Sequence, residues 1–160
     1  MTKPPRPAAE RRVAAAVVEP SSGRDEVAAR LRRAIRDVPD FPSPGILFRD
    51  LTPAWADAAL LKALVAALEA PVRGRGVTQV AGIEARGFLL AGALACRLEA
   101  GVVPLRKPGK LPRQRRRVDY ALEYGTDAVE MHTDALTKGT RALVIDDVIA
   151  TGGTARATCD

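Results

Sequence analysis

The chain has 160 residues, of which 47% are hydrophobic and only 4% are aromatic, and its formal net charge is +6. This length and an aliphatic core rich in Ala, Val and Leu suit one globular domain of the α/β class. The chain contains no run of 18 apolar residues and no secretory signal at its N-terminus, so we expect a cytoplasmic protein, and its single histidine excludes a histidine-rich metal site.

The N-terminal part is predicted to contain a leader followed by a helix. Residues 1–23 are rich in Ala, Pro, Arg and Ser and lack apolar periodicity, so we interpret them as a disordered leader. A single domain is then expected over residues 24–160. An apolar stripe from Val27 to Val38 predicts a helix that ends before Pro39.

A proline-rich segment follows this helix. Residues 40–53, DFPSPGILFRDLTP, contain spaced prolines and a glycine, which predict an ordered loop without a regular element. Thr52 is expected to cap the next helix, with Pro53 in its first turn, and that helix should run through residues 54–70.

The remainder of the chain alternates strands and helices. The predicted elements are a buried strand over 77–84, a helix over 88–98 that Gly101 stops, a strand that begins with VVPL at 102, a short strand around 128–136 and a buried strand over 141–147. This alternation predicts a mostly parallel sheet flanked by helices, with ligands at the carboxyl ends of the strands.

The positive charge is concentrated in one segment. Residues 106–117, RKPGKLPRQRRR, have seven basic residues and no acid, so the rest of the chain has a net charge of −1. This concentration indicates an anionic ligand or a nucleic acid at the segment, although a solvated mobile segment has the same composition.

The strongest local pattern is ALVIDDVIATGGT, residues 142–154. The turn from Thr151 to Thr154 offers hydroxyls, glycine backbone N–H groups and a helix N-terminus, which together suit a phosphate. Asp146 and Asp147 would repel that phosphate unless they face a sugar diol or Mg²⁺. The pattern therefore predicts a ribose 5-phosphate site, and neither a Walker A motif nor GxGxxG is present.

The chain ends six residues after Thr154, which is short for a helix and a further parallel strand. We therefore expect the C-terminal helix and at least one strand of the domain to be missing.

VIDDVIATGGT resembles the phosphoribosyl pyrophosphate motif of type I phosphoribosyltransferases. Three further stretches are similar to the adenine phosphoribosyltransferase family, especially its bacterial form: DFPSPGILFRDLTP, GIEARGFLLAGALA with VVPLRKPGKLP, and YALEYGTDAVEMHTDAL. The resemblance implies the type I phosphoribosyltransferase fold with an N-terminal hood and a flexible lid loop. It also implies a homodimer that transfers phosphoribose from phosphoribosyl pyrophosphate to adenine, giving AMP and pyrophosphate.

The same resemblance implies a set of substrate-binding residues. Asp146 and Asp147 would hold the ribose 2′- and 3′-hydroxyls, and Mg²⁺ would be bound mainly through the substrate, without an assigned protein ligand. The 5′-phosphate would be bound by Ala150, Thr151, Gly152, Gly153 and Thr154. The pyrophosphate would be bound by Arg86, Arg106, Lys107 and Lys110, where Arg86 follows a Glu84-Ala85 peptide that is often cis in the family.

The hood and the lid supply the remaining expected residues. Backbone groups of Leu47 and Arg49 would read the edge of adenine, and Phe48 would cover the face of its ring. The lid would span about Lys110 to Tyr124. Within it, Glu123 would be the acid or base for adenine, and Tyr124 would shape the closed site.

Two other functions are compatible with the phosphate motif. A non-catalytic regulator that senses phosphoribosyl pyrophosphate and binds nucleic acid would retain the motif, but residues 1–23 are too short and irregular for a DNA-reading domain. A phosphoribosyltransferase for another purine, such as xanthine or hypoxanthine, would differ in the hood and in LEYG.

Overall fold

The structure is a computed structural model that describes residues 22–121, 126–149 and 152–159. Within these ranges the elements are α1 (Ser22–Ala34), β1 (Arg36–Val38), β2 (Phe48–Asp50), α2 (Thr52–Ala56), α3 (Ala58–Glu69), β3 (Gln79–Ile83), α4 (Gly87–Leu98), β4 (Gly101–Leu105), β5 (Arg115–Ala121), β6 (Thr126–His132), β7 (Ala142–Ile145) and α5 (Gly153–Cys159). The predicted disordered leader lies outside the described residues, except for Ser22 and Gly23, which are the first residues of α1.

A three-stranded parallel sheet in the order β4-β3-β7 forms the centre of the molecule. Val80 of β3 is paired with Val102 on one side and with Leu143 on the other. Because β3 is flanked by strands and has helices packed near it, residues 80–83 are all buried. The prediction of an α/β fold with a parallel sheet flanked by helices is confirmed.

The sheet separates two apolar clusters, since alternate residues of β3 point to opposite faces. Val80 lies in one cluster with residues of α3, α4 and β7, namely Val65, Leu90, Ala91, Leu94, Ala95 and Ile145. Ala81 and Ile83 lie in the other cluster, together with Val103, Leu105, Tyr120, Val129 and Ala157. The second cluster joins the sheet to the β5–β6 hairpin and to α5.

Helix α4 lies unusually close to β3 because Gly82 has no side chain. A Cβ at this position would be 2.7 Å from Cβ of Ala91 and 3.0 Å from the carbonyl oxygen of Gly87. The small residues on both elements therefore bring the first turn of α4 to the carboxyl ends of the parallel strands.

The basic segment lies partly in a regular strand rather than in a loop. β5 and β6 are antiparallel partners, and backbone hydrogen bonds of 2.8 and 2.9 Å between Arg106 and Glu130 connect β6 to the end of β4. The predicted flexible lid loop over 110–124 therefore contains a regular strand at residues 115–121, which pair with a strand further along the chain. The hairpin connection, residues 122–125, lies outside the described residues.

Two predictions for the N-terminal part are wrong. The first helix ends at Ala34, and Arg36–Val38 instead forms β1, which pairs with β2 inside the segment predicted to be an irregular loop. Pro39 favours extended backbone at Val38, and the strand that begins ten residues after Val38 completes the pairing. Neither effect is visible as a local apolar period.

The helix predicted over 54–70 is interrupted at Asp57, which separates α2 from α3. Thr52 is the first residue of α2 rather than its cap, and Asp57 caps α3, because its carboxylate accepts a 2.9 Å hydrogen bond from the N–H of Leu60. Thr52 instead donates its N–H and its hydroxyl to Asp50, both at 2.9 Å.

Glu99, rather than Gly101, ends α4, because Glu99 has the left-handed conformation with φ of 55°. Gly101 begins β4 and is paired with Gln79. No helix in the described part of the chain is both long and apolar enough to span a membrane.

Candidate active site

Two charged segments meet at the carboxyl edge of the parallel sheet. Glu84, Ala85 and Arg86 follow β3, and Asp146 and Asp147 follow the neighbouring strand β7. The Glu84–Ala85 peptide is cis, as the resemblance implied. The carboxyl edge is thus the location of both acids and of the first predicted pyrophosphate-binding arginine.

Gly87 allows these two segments to approach each other. A Cβ at Gly87 would be 3.0 Å from Oδ1 of Asp146 and 3.1 Å from the carbonyl oxygen of Ile145. The N-terminus of α4 therefore lies against the end of β7, and the arginine that precedes it reaches the acids.

The two aspartates have different surroundings. The side chain of Asp147 is only 5% exposed, and its Oδ2 is 2.6 Å from Nε of Arg86. Oδ2 has no hydrogen-bond partner, so this contact is an ion pair in which the N–H is not aligned with the oxygen. Asp146 Oδ1 accepts a 2.9 Å hydrogen bond from the N–H of Asp147.

The protein supplies few hydrogen-bond donors or positive charges to stabilise the partly buried carboxylate of Asp146. Burial raises the pKa of Asp146 to about 6, and the nearby charge of Asp147 acts in the same direction, while the Asp147 N–H and Arg86 oppose the shift. A carboxylate that has few protein donors is free to accept hydrogen bonds from the hydroxyls of a ligand.

Arg86 connects the aspartates to the hood. Its guanidinium carbon lies 5.2 Å from the centre of the Phe48 ring, and the edge of Phe41 packs against the same ring at 5.1 Å. Phe48, which was predicted to cover adenine, is therefore next to the arginine that contacts Asp147. Leu47 is exposed, and the side chain of Arg49 pairs with Asp37 of β1, away from this centre.

Of the predicted pyrophosphate-binding cations, Arg106 and Lys110 contact Glu84 with their side chains, and Lys107 contacts it with its backbone. Arg106 donates Nε–H to Oε2 of Glu84 at 3.0 Å, and the backbone N–H of Lys107 donates to the same oxygen at 2.8 Å. Lys110 donates Nζ–H to Oε1. Glu84 was not among the predicted site residues, since only its position as the first residue of EARG could have drawn attention to it.

A second acid, Asp127, holds the side chain of Lys107. Nζ of Lys107 contacts both Asp127 and the hydroxyl of Tyr120, at 2.9 Å for the latter, and that hydroxyl donates to Asp127 at 3.0 Å. Although burial by itself lowers the pKa of Lys107, the bonds to Asp127 and Tyr120 raise it above its ordinary value. Lys107 is therefore fixed as a cation near the end of the β5–β6 hairpin at which Tyr120 pairs with Asp127.

Three further cations of the basic segment also have acidic partners. Arg113 pairs with Asp134 at 2.7 Å, Arg115 with Glu130 at 3.0 Å and Arg117 with Asp119 at 2.7 Å. The positive charge of the basic segment, which contains no acid, is thus partly balanced by acids outside the segment.

The structure describes only part of the predicted 5′-phosphate turn and of the lid. Gly152 has φ of 80°, which favours glycine, and α5 begins at Gly153 and includes Thr154. Ala150 and Thr151 of the turn lie outside the described residues. Glu123 and Tyr124 of the lid also lie outside them, so their predicted roles stay predictions.

Comparison with known proteins places this fold and site in a class. A model of the phosphoribosyl transferase domain matches residues 58–160. Adenine phosphoribosyltransferase of Myxococcus xanthus is 55% identical over 139 residues, which cover 87% of this chain and 76% of the relative. The corresponding protein of Thermobifida fusca is 50% identical over 135 residues, covering 84% and 77% of the two chains. The chain therefore belongs to the adenine phosphoribosyltransferase family.

Solved structures support the same assignment. Adenine phosphoribosyltransferase from Rhodothermus marinus has 54% identity and a TM-score of 0.80, covering 84% of this chain and 76% of its own. The Saccharomyces cerevisiae enzyme, crystallised with an imino-altritol bisphosphate and adenine, has 37% identity and a TM-score of 0.77, with coverage of 84% and 79%. The predicted type I phosphoribosyltransferase fold is confirmed.

Proposed function

We propose that this protein transfers the 5-phosphoribosyl group from phosphoribosyl pyrophosphate to adenine and releases AMP and pyrophosphate, a step of purine salvage. The observation that carries this proposal is the meeting of Asp146 and Asp147 with Arg86 at the ends of two neighbouring parallel strands. Acids suited to a sugar diol and cations suited to a diphosphate then lie on the two sides of one reaction centre.

The acids act on the sugar. Asp146 and Asp147 accept hydrogen bonds from the ribose 2′- and 3′-hydroxyls, and their negative charge stabilises the positive charge that develops at C1′. For Asp147 to bind the sugar, its contact with Arg86 has to loosen, which releases the arginine toward the pyrophosphate. The half-buried position of Asp146 strengthens its interaction with the sugar, because less water competes.

The cations act on the leaving group. The bond from C1′ to pyrophosphate oxygen breaks with its electron pair passing to pyrophosphate, and adenine N9 forms the new bond to C1′ and loses its proton. Arg86, Arg106, Lys107 and Lys110 stabilise the negative charge of the departing pyrophosphate. Glu123 is the proposed acid or base for adenine.

The ends of the substrates are bound by two further regions. The 5′-phosphate is assigned to residues 150–154, which is supported by the glycine turn at Gly152 and the start of α5. Adenine is assigned to the hood, where Phe48 offers a ring face and Leu47 and Arg49 offer backbone groups. The proximity of Phe48 to Arg86 supports this assignment of the base.

Asp146 and Asp147 suit a Mg²⁺ ion that is bound mainly through the substrate. Among the described residues, no three His, Cys, Asp or Glu side chains are grouped to hold a metal. Mg²⁺ binds readily through substrate phosphates and water with one or two carboxylates nearby, and Asp146 and Asp147 are such carboxylates. When bound, the ion would neutralise charge on the pyrophosphate.

We further propose a cytoplasmic homodimer, as the family resemblance implies.

The direct test is a spectrophotometric assay of the purified protein with phosphoribosyl pyrophosphate, Mg²⁺ and, in turn, adenine, hypoxanthine, guanine and xanthine. We expect turnover of adenine. Turnover of xanthine or hypoxanthine in place of adenine would contradict the proposed base, and a folded protein that turns over none of the four would contradict catalysis.

A further inference from the structure

Glu84 has a position that a simple electrostatic view of the site does not explain. It is an acid in the middle of the cations that are proposed to bind pyrophosphate, and its own charge should repel that ligand. Its side chain is only 10% exposed, so the carboxylate is not a mobile surface group. A buried acid at an anion-binding site must contribute something that offsets its repulsion of the anion.

The contacts of Glu84 indicate what that role is. Its two oxygens receive a guanidinium N–H from Arg106, a backbone N–H from Lys107 and an ammonium N–H from Lys110. Its own N–H donates to the carbonyl oxygen of Leu105 at 2.9 Å, which fixes its backbone to β4. One carboxylate, on the residue that follows β3, therefore holds three points of the loop that follows β4.

The charge of Glu84 persists over the whole working range of pH. Burial alone would raise its pKa, but the hydrogen bonds from Lys110, Arg106 and the Lys107 N–H outweigh burial and lower the pKa to about 2. The carboxylate also reduces the mutual repulsion of two cations that would otherwise separate. The Arg106 contact uses Nε, so the terminal Nη groups of the guanidinium are the donors suited to phosphate oxygens.

We propose that Glu84 is a positioning residue that holds Arg106, Lys107 and Lys110 in the arrangement that receives the pyrophosphate group. This inference rests on the proposed function for the identity of the ligand. Its energetic basis is preorganisation: the loop is ordered before the ligand binds, so binding does not have to order it. The ordering of the loop outweighs the repulsion between the Glu84 carboxylate and the ligand.

The substitution Glu84→Gln separates positioning from simple electrostatics because the two predict effects of opposite sign. Removal of a nearby negative charge should by itself strengthen the binding of pyrophosphate. Loss of the bonds that order the loop should weaken it, and we expect the dissociation constant to rise by roughly tenfold or more, since hydrogen bonds to charged groups are involved. The measurement is calorimetric titration with inorganic pyrophosphate and MgCl₂.

Asp134→Asn is the matched control. It also removes one negative charge, from an acid that pairs with Arg113 of the same basic segment but has an exposed side chain. We expect pyrophosphate binding to Asp134→Asn to stay within about twofold of wild type, because an exposed ion pair contributes little order. In the steady state, Glu84→Gln should raise KM for phosphoribosyl pyrophosphate and leave KM for adenine nearly unchanged.

Unchanged or tighter pyrophosphate binding by Glu84→Gln would overturn the proposal, and so would an equal loss in Asp134→Asn. If Glu84→Gln does not fold, Glu84→Asp keeps the charge but shortens the side chain, and unchanged binding in that variant would also overturn it. A wild-type protein that binds pyrophosphate without turning over adenine contradicts the proposed function only. A wild-type protein that does not bind pyrophosphate overturns the role of Glu84.

Discussion

Glu84 and Asp146 each follow a strand of the same parallel sheet, β3 and β7, and both lie at its carboxyl edge. Their pKa values are shifted in opposite directions, to about 2 for Glu84 and to about 6 for Asp146. Glu84 accepts three hydrogen bonds from a basic loop, whereas Asp146 has one backbone donor and a neighbouring aspartate.

This difference distinguishes Glu84, which orders the basic loop, from Asp146 and Asp147, which we propose bind a ligand. The hydrogen-bonding capacity of Glu84 is used within the protein, so its carboxylate adds order rather than a binding group. Asp146 retains capacity for hydrogen bonds from a ligand, and the folded protein tolerates the cost of its partial burial. Active sites are commonly where such tolerated costs are found.

The largest expected effect comes from removing the acids that await a ligand. The double substitution Asp146→Asn with Asp147→Asn should lower kcat/KM for adenine by about a thousandfold, because two charge-assisted hydrogen bonds to the ribose are weakened. Circular dichroism should show an unchanged fold. Activity close to that of wild type in the folded variant would contradict the ribose assignment.

A smaller effect is expected on stability when Glu84 is changed. The lowered pKa means that the Glu84 carboxylate stabilises the folded protein above pH 4.5, and that this contribution is lost as the pH falls through about 2. Glu84→Gln should therefore lower Tm by several degrees at neutral pH, and the difference should shrink only below about pH 4.5. Thermal unfolding followed between pH 3 and pH 8 measures this, and a difference that disappears near pH 6 would contradict it.

The smallest effect, and one of opposite sign, is expected for Asp146→Asn. Because its pKa is raised from 3.8, Asp146 favours the folded state most below pH 3.8, and this contribution is lost as the pH rises through about 6. The variant should match wild type near pH 4 and exceed it in Tm by a few degrees at pH 7. Asn retains the oxygen that accepts from the Asp147 N–H. A variant less stable than wild type at pH 7 would refute the interpretation.

The sequence predicted the parallel sheet, its strands and the acidic end of β7, because each is encoded in a short contiguous pattern. It missed the β1–β2 pairing and the strand over Arg115–Ala121, since the partner of each strand lies further along the chain. Within the site, it identified Arg106, Lys107 and Lys110 by the family resemblance together with the concentration of positive charge. It could not identify Glu84 or Asp127, whose contacts with those cations cross 20 or more residues.

By itself, the sequence determined the family, the order of the strands and helices of the parallel core, and the motif of Asp146 and Asp147, because strand, acids and turn are adjacent in the chain. Only the tertiary structure decided how the positive charges are compensated. Parallel strands bring β3, β4 and β7 side by side although long segments separate them, and an ion pair depends on that distance in space. The pairing of Arg86 with Asp147 and the loop held by Glu84 follow from this arrangement.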